Sequence, residues 1–140
     1  MNSPQIFAGE KYSDERGNLF FNNTFDASLV KRIYIIENNE TYFIRGWIGH
    51  KIEQRWFSAV QGSFTVKLIK VDNWKNPSKS LETKEFELTS DKLDILHMPK
   101  GYLSSIQSKE IGSKLLVMVD HYFGELQDDY RFPSEYFEKV

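Results

Sequence analysis

Residues 54–72 decide the fold class and run QRWFSAVQGSFTVKLIKVD. In Ser63–Asp72, large apolar residues recur at every second position: Phe64, Val66 and Leu68. This is the period of a β-strand, in which successive side chains point to opposite faces. Gln54–Val60 precedes it as a second strand. Gln61-Gly62 between them is a turn signal, so the two strands are predicted to form a β-hairpin with a glycine turn.

Similar short runs, separated by polar, glycine or proline turns, extend along the chain. They predict further strands at Val30–Glu37, Thr41–His50, Thr83–Leu88, Leu93–Met98, Leu103–Gln107 and Lys114–Tyr122. Aromatic residues make up 15% of the chain, which favours pleated sheets. Only Pro133-Ser134-Glu135 offers a helix start, so the C-terminus is expected to be a short helix or a tail. These patterns predict an all-β sandwich or jelly roll, with residues 1–140 as a single domain.

Composition excludes several classes of function. The 18 basic and 20 acidic residues give a net charge of −2, which attracts neither nucleic acid nor an anionic membrane. Cysteine is absent, which excludes disulfides, thiolate metal sites and a cysteine nucleophile and fits a reducing compartment. There is no apolar run of membrane-spanning length and no signal-peptide pattern at the N-terminus. A cytoplasmic protein without nucleic-acid or membrane partners is expected.

The segment Arg45–Arg55, RGWIGHKIEQR, concentrates groups that can do chemistry. The planar fork of Arg45 suits a phosphate or carboxylate, and His50 titrates near neutrality and can move a proton. The competing interpretation is a solvated charged edge with a structural His50. From the pattern alone, that second interpretation is the more common outcome.

The order of motifs resembles the RmlC-like cupins that act on sugar nucleotides. These are the dTDP-4-keto-6-deoxyglucose 3,4-ketoisomerases (WxcM-like), related to the dTDP-4-dehydrorhamnose 3,5-epimerases. Arg45–Gln54 is similar to their R-G-x-H-A-H-K segment and the glutamine after it. Further similar segments are Ser13–Leu19 (D-E-R-G-x-L), Val30–Tyr34, Met98–Tyr102 (I-P-x-G-[FY]), Leu115–Phe123 and Asp128–Phe137. The resemblance implies a cupin, that is, a double-stranded β-helix or jelly-roll sandwich, and a homodimer.

The resemblance also implies roles for individual residues. His50 is expected to be the catalytic base, and Tyr34 to donate a proton or hydrogen bond to a sugar oxygen. Arg45 is expected to bind the diphosphate or the enediolate, and Gln54 to orient the sugar. Three further residues are expected to contact the nucleotide-linked sugar: Lys51, Arg32 and Tyr102.

One departure from the family pattern bears on function. Ile48 stands where the ketoisomerases have the first histidine of H-A-H and where the epimerases have their base. Metal cupins use two histidines, a glutamate and a later histidine, whereas the corresponding positions here are Ile48, His50, Glu53 or Gln54, and Ser104. One histidine and one carboxylate are too few ligands, so no metal and no cofactor are expected.

Three functions follow as hypotheses. The first is an isomerase or epimerase of a dTDP-linked 4-keto-6-deoxy sugar in surface-polysaccharide synthesis, working by metal-free proton transfer. The second is a sugar-nucleotide-binding cupin that has lost the proton relay at Ile48. The third is a structural or interaction β-barrel, expected if Tyr34, Arg45 and His50 do not share one cavity.

Other polar groups have a structural interpretation. His97 lies on an apolar strand and is expected to be structural. His121 with Asp120 is expected to be an ordinary strand-end hydrogen bond, although an acid/base pair at the barrel mouth is the alternative. The Asp128-Asp129 pair is expected to be solvated.

Overall fold

The computed structural model describes residues 3–138. Its strands are β1 (Gln5–Phe7), β2 (Glu10–Asp14), β3 (Gly17–Phe21), β4 (Arg32–Ile36), β5 (Ile44–His50), β6 (Arg55–Gln61), β7 (Ser63–Lys70), β8 (Thr83–Thr89), β9 (Ile95–Met98), β10 (Tyr102–Ser108), β11 (Lys114–Val119) and β12 (Tyr130–Arg131). The eight strands expected from alternation correspond to β4–β11, with ends shifted by a few residues. The short strands β1, β2, β3 and β12 were not expected, because their exposed residues carry little apolar periodicity.

The strands form two five-stranded antiparallel sheets and one separate hairpin. Sheet I has the order β1-β9-β6-β11-β4, sheet II has the order β12-β5-β10-β7-β8, and β2 pairs only with β3. From β4 to β7 the chain crosses from one sheet to the other at every step, which is jelly-roll connectivity. The all-β jelly-roll prediction is therefore confirmed.

The predicted β6–β7 hairpin is wrong. β6 pairs with β9 and β11, whereas β7 pairs with β8 and β10. The turn itself is present, since Gly62 has a positive φ of 71° that favours glycine. It joins the two sheets instead of two neighbours within one sheet. Alternation fixes which side chains share a face, but the strand partner depends on distant segments.

The core lies between the sheets and explains the alternation. Phe64, Val66 and Leu68 of β7 are fully buried there, opposite Leu115 and Val117 of β11. The alternate side chains of sheet II point away from the core, and the chain's own C-terminal tail covers some of them. Ile69, for example, is also fully buried and clusters with Trp47 and Phe137.

Residues 133–138 form a tail, which is one of the two expected alternatives, and not a short helix. Residues 134–137 make turns, in which the Tyr136 N–H donates to the Pro133 carbonyl at 3.0 Å. Two contacts hold the tail against β5. The Trp47 Nε1–H donates to the Ser134 carbonyl at 3.2 Å, and the Trp47 ring packs edge-on against Phe137. These contacts fix the outer face of β5.

No segment of residues 3–138 forms a helix with the length and hydrophobicity needed to cross a bilayer.

Candidate active site

A cavity of about 140 Å³ opens between β4, at the edge of sheet I, and β5 of sheet II. Polar and apolar side chains line it together: Tyr34, Arg45, Ile48, His50, Arg55 and Ser104, with Ile36, Phe57 and Ile106 among the apolar neighbours. Three predicted site residues from two strands thus share one hollow. This is the arrangement on which both ligand hypotheses depend.

A β-bulge brings Arg45 to the cavity. His50 and Ile48 lie on the inner face of β5, and strict alternation would put Arg45, an odd number of positions away, on the outer face. The pairing with β10 shifts between Ile48↔Ser104 and Arg45↔Ile106, so β5 carries one extra residue there. The extra residue reverses the phase. Arg45 then lines the cavity mouth, where its Nε–H donates to the Asn38 Oδ1 at 2.8 Å.

The His50 imidazole is buried at the inner end of the cavity and is only 4% exposed. Its Nδ1 lies 3.1 Å from the backbone oxygen of Asp128. A carbonyl oxygen can only accept, so Nδ1 carries the proton in this contact and Nε2 is the nitrogen able to take one. Two carboxylates approach the same Nδ1: Asp129 Oδ1 at 3.4 Å and Glu53 Oε1 at 3.6 Å.

The surroundings of His50 keep the ring neutral. Burial lowers the pKa of His50 below its ordinary value of 6.5, and the positive charge of Arg55 lowers it further. Asp129, the Asp128 carbonyl and Glu53 act in the opposite direction but do not reverse the shift. At neutral pH the imidazole is therefore unprotonated at Nε2, the state that a general base needs.

Asp128 is structural and not solvated, contrary to the sequence-based expectation. It is 3% exposed, and its carboxylate accepts the backbone N–H groups of residues 51–53 at 3.0, 2.8 and 2.8 Å. It therefore fixes the turn that follows β5, and with it the backbone next to His50. Asp129 does remain 56% exposed at its side chain.

Arg55 is a cavity residue that sequence reasoning did not find. Arg55 and Glu53 are each 5% exposed, and Arg55 Nη1 donates to Glu53 Oε1 at 3.0 Å. The signal was present, since Phe57 and Ala59 of β6 share the parity of Arg55 and belong to the core. The large Trp56 on the opposite phase obscured that pattern.

Gln54 lies outside the cavity, on the outer face of sheet I. Its backbone N–H and its Nε2 donate to the Asp120 carboxylate at 2.9 and 3.1 Å, and its Oε1 lies 2.7 Å from His97 Nε2. The His97 ring stacks on Trp56 with centroids 5.2 Å apart. Asp120 also contacts His121 Nδ1 at 2.9 Å. These bonds use both ends of the Gln54 amide within the protein.

The three remaining predicted residues do not line this cavity. The Arg32 guanidinium lies over the Tyr34 ring at 5.4 Å and over Phe123 at 5.6 Å, in a cleft of about 490 Å³ next to the cavity. Lys51 Nζ lies 5.5 Å from the ring centre of Tyr130, a residue that lines this cleft. Tyr102 is buried and lines a separate cavity of about 460 Å³. Burial raises the pKa of its phenol, as does the charge of Glu82.

One cluster has the composition of a metal site. Ligand atoms of His50, Glu53 and Asp128 all lie within 4.8 Å of one another. Each of these groups already has partners: Asp128 accepts backbone N–H groups, and Glu53 pairs with the guanidinium of Arg55. A cation next to that guanidinium would meet a like charge and would have to replace these bonds. The donor set therefore does not fit a metal, and the absence of one stays a prediction.

Comparisons with known proteins agree with this arrangement of sheets. The profile of the family described as FdtA: WxcM-like, C-terminal, matches residues 3–140. A search of curated proteins finds no match.

Several solved structures share the fold. A histidine-to-asparagine mutant of the 3,4-ketoisomerase QdtA from Thermoanaerobacterium thermosaccharolyticum, in complex with TDP-4-keto-6-deoxyglucose, has a TM-score of 0.72 at 21% identity over 94% of this chain and 89% of its own. The TDP-quinovose 3,4-ketoisomerase WlaRB from Campylobacter jejuni has a TM-score of 0.69 at 20% identity over 94% and 95%. The RmlC epimerase of Mycobacterium tuberculosis has 0.74 at 12% identity over 92% and 68%. The fold is therefore that of an RmlC-like cupin, as the sequence motifs implied.

Proposed function

The chain belongs to the WxcM-like, C-terminal (FdtA) family, and from this premise we propose that it is a sugar-nucleotide isomerase or epimerase. Its proposed substrate is a dTDP-linked 4-keto-6-deoxy sugar, converted by acid/base proton transfer without a metal. The observation that carries the proposal is the shared cavity of Tyr34, Arg45 and His50, in which the imidazole is held neutral. Its fold is that of QdtA, whose crystal structure contains TDP-4-keto-6-deoxyglucose.

The proton transfer begins at His50. Nδ1 is held by the Asp128 carbonyl, so Nε2 takes the proton from the carbon next to the sugar carbonyl. In a 3,4-isomerisation this is the C3 proton, and the C–H electron pair becomes the C3=C4 double bond of an enediolate. Delivery of a proton to C4, with transfer of the O3 proton to O4, then gives the 3-keto sugar.

Tyr34 and Arg45 handle the sugar oxygens in this proposal. The Tyr34 phenol can donate to an oxygen of the enediol from the edge strand β4. Arg45 lies at the cavity mouth and is bonded only to a neutral amide oxygen among the contacts described, so it keeps its charge for a diphosphate or an enediolate. Both side chains retain enough exposure for a ligand to reach them.

The cavity is large enough for a sugar ring but not for a whole nucleotide sugar, since sites for larger ligands span roughly 300–1,000 Å³. The dTDP part therefore lies outside it. The adjoining cleft of about 490 Å³ has room for that part and offers Arg32 and the ring of Phe123, which is 87% exposed. In this proposal Lys51, whose Nζ lies over the ring of the cleft residue Tyr130, contacts the phosphates. Gln54 and Tyr102 support the fold in this proposal and do not touch the sugar.

The test is solvent exchange. Incubation with dTDP-4-keto-6-deoxyglucose in D₂O should incorporate deuterium at C4 of the 3-keto product and, through the reverse reaction, at C3 of the substrate. NMR detects both, and His50→Ala should abolish them. The His121→Ala variant, which removes a histidine outside the cavity, is the matched control. Wild-type protein that exchanges no proton with this or related 4-keto sugars would contradict the enzymatic proposal.

The alternative is a cupin that binds a sugar nucleotide without converting it, and Ile48 favours it. Ile48 lines the cavity but cannot accept a proton. This alternative predicts TDP binding in a thermal-shift assay with no deuterium exchange. Ile48→His should then leave binding intact, and the appearance of exchange in that variant would identify the lost group.

We propose a homodimer formed by the outer face of sheet I. Ile33 and Ile35 of the edge strand β4 are 64% and 55% exposed there, and the unpaired β2–β3 hairpin exposes Tyr12 and Leu19 at 55% and 59%. Exposed apolar side chains in this number are typical of a subunit interface. Light scattering should give the mass of a dimer, and Ile35→Glu should give a monomer. A wild-type monomer would contradict the proposal.

Cytoplasmic location and a role in surface-polysaccharide synthesis remain predictions. They rest on the absence of cysteine and on the proposed nucleotide-linked substrate.

A further inference from the structure

We infer that the guanidinium of Arg55 binds the negatively charged oxygen of the enediolate, and that Glu53 positions it for this purpose. The inference rests on the proposed function. It adds to the site a buried cation that the motif resemblance did not include, since the resemblance pointed to the neighbouring Gln54.

The first support is the place of Arg55 in the cavity. Arg55 comes from β6 in sheet I, and its side chain points between the sheets next to the His50 imidazole. Only 5% of the residue is exposed, so its charge acts in a poorly solvated region, where it is stronger than at the surface. Its effect is already visible at His50, whose pKa the Arg55 charge lowers.

The second support is the way Arg55 is held. The Nη1–Oε1 contact with Glu53, at 3.0 Å, is one hydrogen bond for a group with five N–H donors. Glu53 also compensates the buried charge, which would otherwise be costly. Glu53 faces the neighbouring cleft and Arg55 faces the cavity, so the positive end of the pair is directed at the ligand.

The third support is the contrast with Arg45. Arg45 is exposed at the mouth and bonds to Asn38, which suits a group that binds the incoming ligand. Arg55 is fixed deep in the cavity beside the proposed base. A cation that is already oriented where charge develops stabilises the transition state without reorganisation.

The chemistry balances with these groups alone. His50 Nε2 takes the proton from C3, the C–H pair forms the C3=C4 bond, and the carbonyl π pair moves to O4. Arg55 stabilises the resulting O4 anion. Transfer of the O3 proton to the O4 anion and return of the proton from His50 Nε2 to C4 complete the isomerisation, with no oxidant or co-reactant.

The test compares four variants by deuterium exchange with dTDP-4-keto-6-deoxyglucose, TDP affinity and thermal unfolding. Arg55→Gln removes the cation, and Arg55→Lys keeps a charge without the planar fork. The double variant Glu53→Gln/Arg55→Gln removes both charges, so that no buried carboxylate is left unpaired. Lys67→Gln, at a lysine whose side chain is 43% exposed and lies 3.9 Å from Glu85 on the neighbouring strand β8, is the matched surface control.

The expected result is a split between catalysis and binding. Arg55→Gln should lower kcat by about 10²–10³-fold, the usual cost of removing one donor to a developing oxyanion, with TDP affinity unchanged. Arg55→Lys should recover part of the loss. The double variant should fold like wild type and remain as slow as Arg55→Gln, and Lys67→Gln should behave as wild type.

Two results would overturn the inference while leaving the proposed function standing. One is wild-type kcat in Arg55→Gln or in the double variant. The other is a loss of kcat that is matched by equal losses of TDP affinity and thermal stability in the double variant, which would indicate a purely structural pair. Wild-type protein that binds TDP but exchanges no proton would refute the proposed catalysis itself, and the role of Arg55 with it.

Discussion

His50 and His97 are both buried histidines with a lowered pKa, yet their surroundings differ in kind. His50 lies between the sheets, with its Nδ1 on a backbone carbonyl and a cationic Arg55 beside it. His97 lies on the outer face of sheet I. Its Nε2 is bonded to the Gln54 side chain and its ring is stacked on Trp56. One ring faces a cavity, and the other is a structural part of an apolar face.

The difference shows that burial and a shifted pKa do not by themselves identify a base. Both shifts have desolvation as their largest cause. The two sites differ in whether a ligand can reach the polar groups beside the imidazole. Near His50 the neighbouring polar groups point into a hollow, whereas near His97 the Gln54 amide is bonded at both ends to the protein.

The largest expected effect separates the two histidines directly. His50→Gln should slow deuterium exchange by about 10²–10⁴-fold, the usual contribution of a general base. His97→Gln should leave the exchange rate of the folded protein unchanged, because His97 does not touch the cavity. Exchange would be followed by NMR for both variants at equal concentrations of folded protein. Equal losses of exchange rate in the two variants would contradict a catalytic role specific to His50.

A smaller effect is expected at Tyr34, on the opposite wall from His50. Tyr34→Phe removes one hydroxyl without changing the ring that stacks under Arg32. We expect kcat to fall by roughly 10–100-fold, since a hydrogen bond to a charged oxygen contributes about 1.5–3 kcal/mol. TDP affinity, measured by calorimetry, should not change. A variant with wild-type kcat would assign the phenol to packing only.

Gln54 tests the structural side of the comparison. Gln54→Ala leaves Asp120 and His97 without the amide that links them. We expect a loss of about 1–3 kcal/mol in the free energy of unfolding, measured by urea denaturation, since buried polar partners are left unsatisfied. The kcat of the folded protein should remain that of wild type. A specific loss of kcat without loss of stability would restore the sugar-orienting role that the motif implied.

The smallest effect is on pH dependence. Because the pKa of His50 is lowered, the acidic limb of kcat/KM should lie below pH 6.5. Asp129 raises that pKa, so Asp129→Asn should move the limb to still lower pH, whereas Arg55→Gln should move it upward. The charged groups around the ring are Arg55, Asp129 and Glu53, with the Asp128 carboxylate tied to backbone N–H groups. A limb above pH 6.5 would contradict a neutral His50.

The free energy of unfolding should also decrease at acidic pH because of His50. The unfolded chain binds a proton at His50 more readily than the folded one, so folded-state stability is lost as pH falls below about 6.5 toward the lowered pKa. Thermal unfolding of wild type and His50→Gln across this window measures the contribution, which should be absent in the variant.

Much of the fold could be predicted because period-two alternation depends only on which face of a strand is buried. That pattern located β4–β11, and the ordered motifs indicated the jelly roll. Strand pairing could not be predicted in this way. The turn at Gly62 was found, but its two strands belong to opposite sheets, since β6 and β7 are paired by segments far along the chain.

The motif resemblance predicted Tyr34, Arg45 and His50 for the site, whereas Arg55 was missed because the two faces of its strand look alike in the sequence. Tyr34 and His50 lie on inward phases. Arg45 reaches the cavity only through the bulge in β5, which local sequence does not reveal. Arg55 and Gln54 are adjacent, so only one of them can point inward. The sequence does not show which one, because large aromatic residues occur on both faces of the strand, Trp56 on one and Phe57 on the other.

By itself the sequence determined that this chain is an all-β protein with one histidine and two arginines concentrated around β5 and β6. Only the tertiary structure decided that His50, Arg45 and Arg55 share one hollow, and that Asp128, seventy-eight positions from His50, holds its Nδ1. The physical reason is that alternation is encoded locally, whereas bulges, strand partners and the hydrogen bonds of the C-terminal tail arise from contacts between distant segments.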